Sequence, residues 1–160
     1  MSTLRNNLFN LEGRTAIVAG GAGVIGTAMA GTLLEAGANV AVWSRSRASI
    51  DRALEKLAAE TGAAERLDGF QVDTGDEEAV AQALQLTTGR FATPSILIKA
   101  VGGNLGKGAF IDTDISQFEE ILRLNLLAGL VVPTKVVAAY WIEKKIRGSI
   151  INLTSMTSYM

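Results

Sequence analysis

Between a short β-branched run ending at Ala19 and a segment of helical period lies Gly20-Gly21-Ala22-Gly23-Val24-Ile25-Gly26. A turn this rich in glycine admits positive φ and lets backbones approach more closely than a Cβ allows. Where such a turn opens a helix, the first amides of that helix have no partner within it and form a cradle for an anion such as a pyrophosphate. The Lys-Ser/Thr ending of a nucleoside-triphosphate loop is missing, which argues against ATP or GTP hydrolysis. The feature fixes a strand, turn and helix as the first unit of the fold.

The rest of the chain repeats that unit. Short runs that read as strands buried on both faces fall at residues 15–19, 39–43, 69–72, 95–101 and 149–154, and segments of helical period follow the first four. Ile25, Met29 and Leu33 share one helical face, as do Ile50, Leu54 and Leu57, then Val80 and Leu84, then Phe118, Ile121, Leu122 and Asn125. This alternation predicts an α/β fold, a Rossmann-type doubly wound parallel sheet. Right-handed crossovers give it the order 3-2-1-4-5, with a ligand cleft at the carboxyl edge where strands 1 and 4 diverge. Gly102, Gly103, Gly106 and Gly108 make a loop after strand 4. No repeat or interdomain linker interrupts the chain, so residues 1–160 read as one domain.

Composition narrows the function. The net charge is −1 and the pI about 5.5, which offers no basic footprint for nucleic acid or an anionic membrane. The chain has neither Cys nor His, so no thiolate or imidazole metal site and no His-based acid/base scheme is available. The first twelve residues carry no signal-peptide pattern, which makes the cytoplasm the expected compartment. Residues 124–142 are apolar enough to suggest a membrane span, but Asn125, Pro133, Thr134 and Lys135 interrupt them. They read as a buried helix covered by its own sheet and by a second copy of the chain. The expected partner is a small molecule, with a homo-oligomer formed through this fourth helix and no membrane.

From Gly20 onward the sequence resembles the short-chain dehydrogenase/reductase family, whose turn reads Thr-Gly-x-x-x-Gly-x-Gly. Gly20 and Gly26 match its outer glycines, whereas Ala19 replaces the Thr, Val24 stands at the middle Gly and an extra Gly23 precedes it. The ending of this turn is similar to the D-mannonate or fructuronate oxidoreductase-like branch. The resemblance implies a nicotinamide coenzyme, with Gly20, Gly21, Gly23, Val24, Ile25 and Gly26 at the pyrophosphate. At the end of strand 2, NAD-preferring members carry an acid that binds the ribose 2′-OH; here Ser44 stands in that place, followed by Arg45 and Arg47. Guanidinium forks suit a 2′-phosphate, so NADP(H) is the expected coenzyme and NAD(H) the alternative. Both Arg side chains also fit a role as solvated residues at the start of the second helix.

Val72-Asp73 resembles the family's adenine-binding pair, with Thr74 beside it, while Asp73 equally suits an N-cap for the helix starting near Asp76. Lys99-Ala100-Val101-Gly102-Gly103-Asn104 resembles the nicotinamide-side segment, to which Val101 and Gly102 are assigned. Lys99 departs from the usual Asn, and an ammonium inside a sheet is costly unless it reaches water or a carboxylate. Leu124-Asn125-Leu126-Leu127-Ala128-Gly129 resembles the family's helix motif, whose Asn joins a proton relay; a hydrogen-bonded core residue is the other reading of Asn125. Residues 148–155 resemble the strand that ends in the catalytic Ser, here Ser155, for which a simple turn cap is the competing role.

The resemblance then implies a Tyr-x-x-x-Lys pair about a dozen residues after Ser155, in which the Lys lowers the phenol pKa for acid/base work. Tyr159 follows Ser155 too closely, and no such pair lies between Ser155 and Met160. The expectation is therefore an oxidoreductase interconverting an alcohol and a ketone, a sugar acid by branch resemblance, represented by an N-terminal portion that is inactive alone. A non-catalytic dinucleotide-binding module is the alternative. A methyltransferase fits poorly, because Ser44 occupies the place of its ribose-binding acid.

Overall fold

The computed structural model describes residues 9–104 and 110–155; Gly106, Gly108, Tyr159 and Met160 lie outside them. Five parallel strands, β1 (Thr15–Ala19), β2 (Asn39–Ser44), β3 (Leu67–Gln71), β4 (Ile96–Lys99) and β5 (Ser149–Asn152), form one sheet in the order β3-β2-β1-β4-β5. This is the expected α/β Rossmann-type order. The strand positions also follow the sequence pattern, except that β3 starts two residues earlier and β4 and β5 stop sooner.

Strand alternation separates two cores. Ile17, Trp43 and Leu97 face Val80 and Leu84 of α3 (Glu77–Arg90) and Val137 and Trp141 of α5 (Val132–Glu143). Val18, Val42 and Ile98 face Ala30 and Leu34 of α1 (Val24–Glu35) and Leu57 of α2 (Arg47–Thr61). The caps follow side-chain chemistry: Ser46 accepts from the Ser49 amide at the start of α2, and Gly62 ends that helix at φ +65. Asp76, not Asp73, caps α3, accepting from the amides of Glu78 and Ala79. Asp73 instead closes a small turn by accepting from the Gly75 amide at 2.9 Å.

Two helical expectations need correction. In α1 the buried face is Gly26, Thr27, Ala30 and Leu34, while Ile25 is 61% exposed. Small residues bring this helix down onto the sheet, so its larger apolar residues sit at the rim. The fourth helix is not buried along its length. Residues 115–143 form one continuous helix made of α4 (Ile115–Leu122), a π-helical stretch (Arg123–Val131) and α5. By length and hydropathy it could cross a membrane, and its most apolar window is 28% buried. Phe118, Leu122, Leu126, Leu127 and Val131 are all exposed by about two-fifths, while Ala128, Val132, Val137 and Trp141 hold the helix against the sheet. β5 is an edge strand and largely exposed, as the strand order implies.

One buried polar contact links the sheet to α3: the Trp43 indole donates to Thr87 Oγ1 at 3.0 Å, both residues being fully buried. Thr87→Val leaves that indole N–H without a partner and should lower unfolding free energy by about 1–3 kcal/mol in urea denaturation. Thr87→Ser should recover most of the loss, and equal stability of the Val and Ser variants would contradict the role of this bond.

Candidate coenzyme site

The site starts where β1 ends. Gly20 adopts φ +78, and a Cβ there would lie 2.6 Å from the Ala100 carbonyl group. Its amide donates to the Trp43 carbonyl at 2.9 Å, so the turn is fastened to β2 while it touches the exit of β4. Gly26 packs under the turn, where a Cβ would stand 2.2 Å from the Gly20 carbonyl oxygen. The Thr27 hydroxyl donates to the Gly21 carbonyl. Gly23 caps α1 with no side-chain hydrogen bond, which leaves the helix N-terminus to bind an anion.

At the carboxyl edge of the sheet a cleft of about 220 Å³ opens against this turn. It brings together Gly20, Gly23, Ser44, Arg45, Asp73, Thr74, Val101 and Gly102, with Trp43, Val72, Ala100, Leu124 and Ala128 completing the wall. Of the other residues singled out in the sequence, Gly21 is buried under the turn, and Val24 and Ile25 are exposed beside it at 91% and 61%. Arg47 is turned elsewhere: Nε and Nη2 donate to Asp51 Oδ1, and Nη1 donates to the Gly69 carbonyl. The glycine closeness, the exposed helix amides and the mixed polar wall all fit a dinucleotide.

Beyond the cleft, Asn125 is exposed rather than set in a core. Its side chain clamps Gly103 from both sides, accepting from the Gly103 amide and donating to its carbonyl, each at 2.9 Å. The Asn therefore holds the segment after β4 against the long helix. Gly129 permits the same approach, since a Cβ there would lie 2.7 Å from the Val101 carbonyl oxygen. Ser155 is exposed just past β5 and does not line the cleft.

Lys99 finds neither water nor a carboxylate. It is 2% exposed, and its ammonium donates to the Leu130 carbonyl at 3.1 Å and to Thr134 Oγ1, whose hydroxyl donates to the same carbonyl. π-Helical winding displaces carbonyls from the usual ladder, which gives a buried cation acceptors without a counter-ion.

A further Tyr-x-x-x-Lys spacing, Tyr140 and Lys144, escaped the sequence reading, which looked only beyond Ser155. It lies at the end of α5 just before β5 begins, hence at the amino edge of the sheet, and Lys144 is engaged by Glu143. That pair is remote from the cleft.

The fold and the glycine-turn cleft define a nucleotide-binding α/β protein of the dehydrogenase type. The short chain dehydrogenase family model matches residues 14–160, and the chain belongs to that family. It is 28% identical over 155 residues to the short chain dehydrogenase/reductase dpmpG of Macrophomina phaseolina, covering 97% of this chain and 87% of that one. An L-xylulose reductase of Hypocrea jecorina is 32% identical over 91% of this chain, but the match spans only 50% of the reductase. A short-chain type dehydrogenase/reductase from Mycobacterium marinum superposes with a TM-score of 0.89 at 25% identity, covering all of this chain and 62% of its own. This chain thus spans about half to three-fifths of the length of most such relatives.

Burial lowers the pKa of Lys99 from the ordinary lysine value. The unfolded chain then binds that proton more tightly than the native one, so stability from this group rises with pH up to about 10.4. Lys99→Met removes the titration. The stability of the Met variant relative to the parent, measured by urea denaturation, should therefore fall as pH is raised through the alkaline range; a difference independent of pH would contradict the assignment.

Proposed function

We propose that this chain forms the coenzyme-binding part of an NADP(H)-preferring oxidoreductase that interconverts an alcohol and a ketone, with residues 1–160 acting as one domain. The observation that carries the reading is the glycine turn pressed against the exit of β4, lining one cleft with Ser44, Arg45, Asp73 and Val101. The amides opening α1 hold the pyrophosphate, and Arg45 faces the adenosine end, where Ser44 leaves out the acid that would repel a 2′-phosphate. Asp73 and Thr74 sit at the adenine end, with Val101 and Gly102 toward the nicotinamide.

When bound, the nicotinamide supplies or takes the hydride. The chain's own residues orient and hold: Asn125 fixes Gly103 beside the nicotinamide end, and the Ser155 hydroxyl donates to the substrate oxygen. Proton transfer at that oxygen needs a Tyr-x-x-x-Lys pair placed after Ser155, so these 160 residues are read as binding coenzyme without turnover. A sugar or sugar acid suits the substrate class, a reading supported by the turn's resemblance and by the name of the L-xylulose reductase relative. The exposed apolar side of the long helix is assigned to a second copy of the chain, and the protein to the cytoplasm.

Gly23→Asp tests the cradle. Its extended backbone, φ −82 and ψ 167, suits an Asp N-cap, so the variant should be at least as stable thermally. The same carboxylate would repel a pyrophosphate, and calorimetric titration should show NADPH affinity reduced by about tenfold or more. Unaltered affinity would sink the placement of the pyrophosphate, and no NADPH binding by the parent chain would sink the coenzyme reading. An active longer chain carrying the Tyr-x-x-x-Lys pair supports the enzyme; binding that never leads to turnover supports a module.

Arg45→Ala should lower NADPH affinity by about tenfold while leaving NADH affinity nearly unchanged. Equal losses for the two coenzymes in titration would assign Arg45 to something other than the 2′-phosphate.

A further inference from the structure

We infer that the 2′-phosphate of the coenzyme is gripped by Arg52 and Lys56 of α2, through a groove beside the main cleft, while Arg47 serves as a structural brace. The inference rests on the coenzyme reading above and deepens it by naming the residues that set coenzyme choice.

Sequence alone put the grip on the two arginines nearest the end of β2, but the structure separates them. Arg47 spends its fork on Asp51 and on the Gly69 carbonyl, both within its own neighbourhood. A guanidinium already paired with a carboxylate has little left to offer a phosphate, since exchanging one anion for another strands the first. Its work is to tie the start of α2 to β3.

Arg52 and Lys56 lie four residues apart and so share one face of α2. With Ser49, one helical step earlier, they line a groove of about 290 Å³ opposite Ala22 and Gly23 of the glycine turn. Small residues make that space, for Ala53 closes the helix side where a longer side chain would fill it. No carboxylate lines the groove among the described residues. The Arg52 guanidinium donates to the Ser49 hydroxyl at 3.3 Å, and Lys56 stands 3.8 Å from Glu60 on an exposed turn, a loose pair of little energetic weight.

Two cations and a hydroxyl beside the opening of α1 form a positive concavity of the size of a phosphate monoester. Gly23 lines both this groove and the main cleft, so the two spaces meet at the turn that would carry the pyrophosphate. A coenzyme held in the cleft and bearing an extra phosphate has a cationic site within its own footprint. One lacking that phosphate gains nothing from the groove.

The test uses calorimetric titration of the 160-residue chain and its Arg52→Gln, Lys56→Gln and Arg47→Gln variants with NADPH, NADH, adenosine 2′,5′-bisphosphate and 5′-AMP. Arg52→Gln should weaken NADPH and the bisphosphate by about tenfold and leave NADH and 5′-AMP within about twofold, with Lys56→Gln acting in the same direction. Arg47→Gln should lower the thermal midpoint and leave the NADPH to NADH ratio as in the parent. An unchanged ratio in both Arg52→Gln and Lys56→Gln, or a ratio that collapses in Arg47→Gln instead, overturns the assignment while the coenzyme reading stands. A parent chain that binds NADH and NADPH equally also overturns it. A parent that binds none of the four ligands defeats the coenzyme reading and this assignment together.

Discussion

The site depends on one close contact, that of Gly20 with the peptide leaving β4. Neighbouring strands in a parallel sheet normally send their following helices over the sheet and away from its edge. Here β1 and β4 send theirs to opposite faces, and the gap left between the two exits is the natural place for a ligand. Gly20 sets the width of that gap. Its left-handed backbone and missing Cβ let the turn lie on Ala100 and, through its amide, on the end of β2. Any larger residue would push the turn off both strands, and the wall joining Ser44 to Val101 would come apart.

The opposite wall is held by the long helix, and its irregular winding explains how. Residues 123–131 wind as a π-helix, a widening that a regular α-helix adopts only where something rewards it. Two side chains do so from the same region of β4. Lys99 reaches up to the Leu130 carbonyl and Thr134, and Asn125 reaches back to both polar groups of Gly103. Gly129 lets the helix backbone meet Val101 between these two ties. Lys99 thus stabilises the break in the helix at some cost in desolvation, which accounts for a cation in a strand that sequence patterning alone marks as a misfit.

The strands and their order were legible because buried parallel strands write themselves as short apolar runs, and crossover handedness leaves few ways to connect them. The glycine turn was legible because only glycine tolerates such closeness. What could not be read was which way a side chain turns. Arg45 and Arg47 are equivalent in the sequence, yet Asp51, one helical turn on, claims Arg47. Asp73 and Asp76 both suited a cap, and the helix register gave the role to Asp76. In α1 a search for large apolar residues picked the wrong face, because close helix-to-sheet packing prefers Gly26, Thr27 and Ala30. The partner of Lys99 was beyond reach for a similar reason: the carbonyl it binds is freed by a π-helical stretch that no local pattern announces.

The same helix also shows why apolar length is a poor guide to environment. Twenty-nine residues with a window hydropathy of 1.6 satisfy the arithmetic of a membrane span. Yet the Trp141 indole donates to the Pro94 carbonyl at 2.7 Å, Lys135 pairs with Glu77 of α3, and Lys99 enters the helix from the sheet. Inserting this helix in a bilayer would tear away the cover of β4 and expose Ile17, Leu97 and Trp43, all fully buried against its second half and α3. The apolar side chains of its first half, Phe118, Leu122 and Leu126, are better described as a surface shaped for protein, since a helix anchored to a sheet at one end presents the other end to whatever packs beside it.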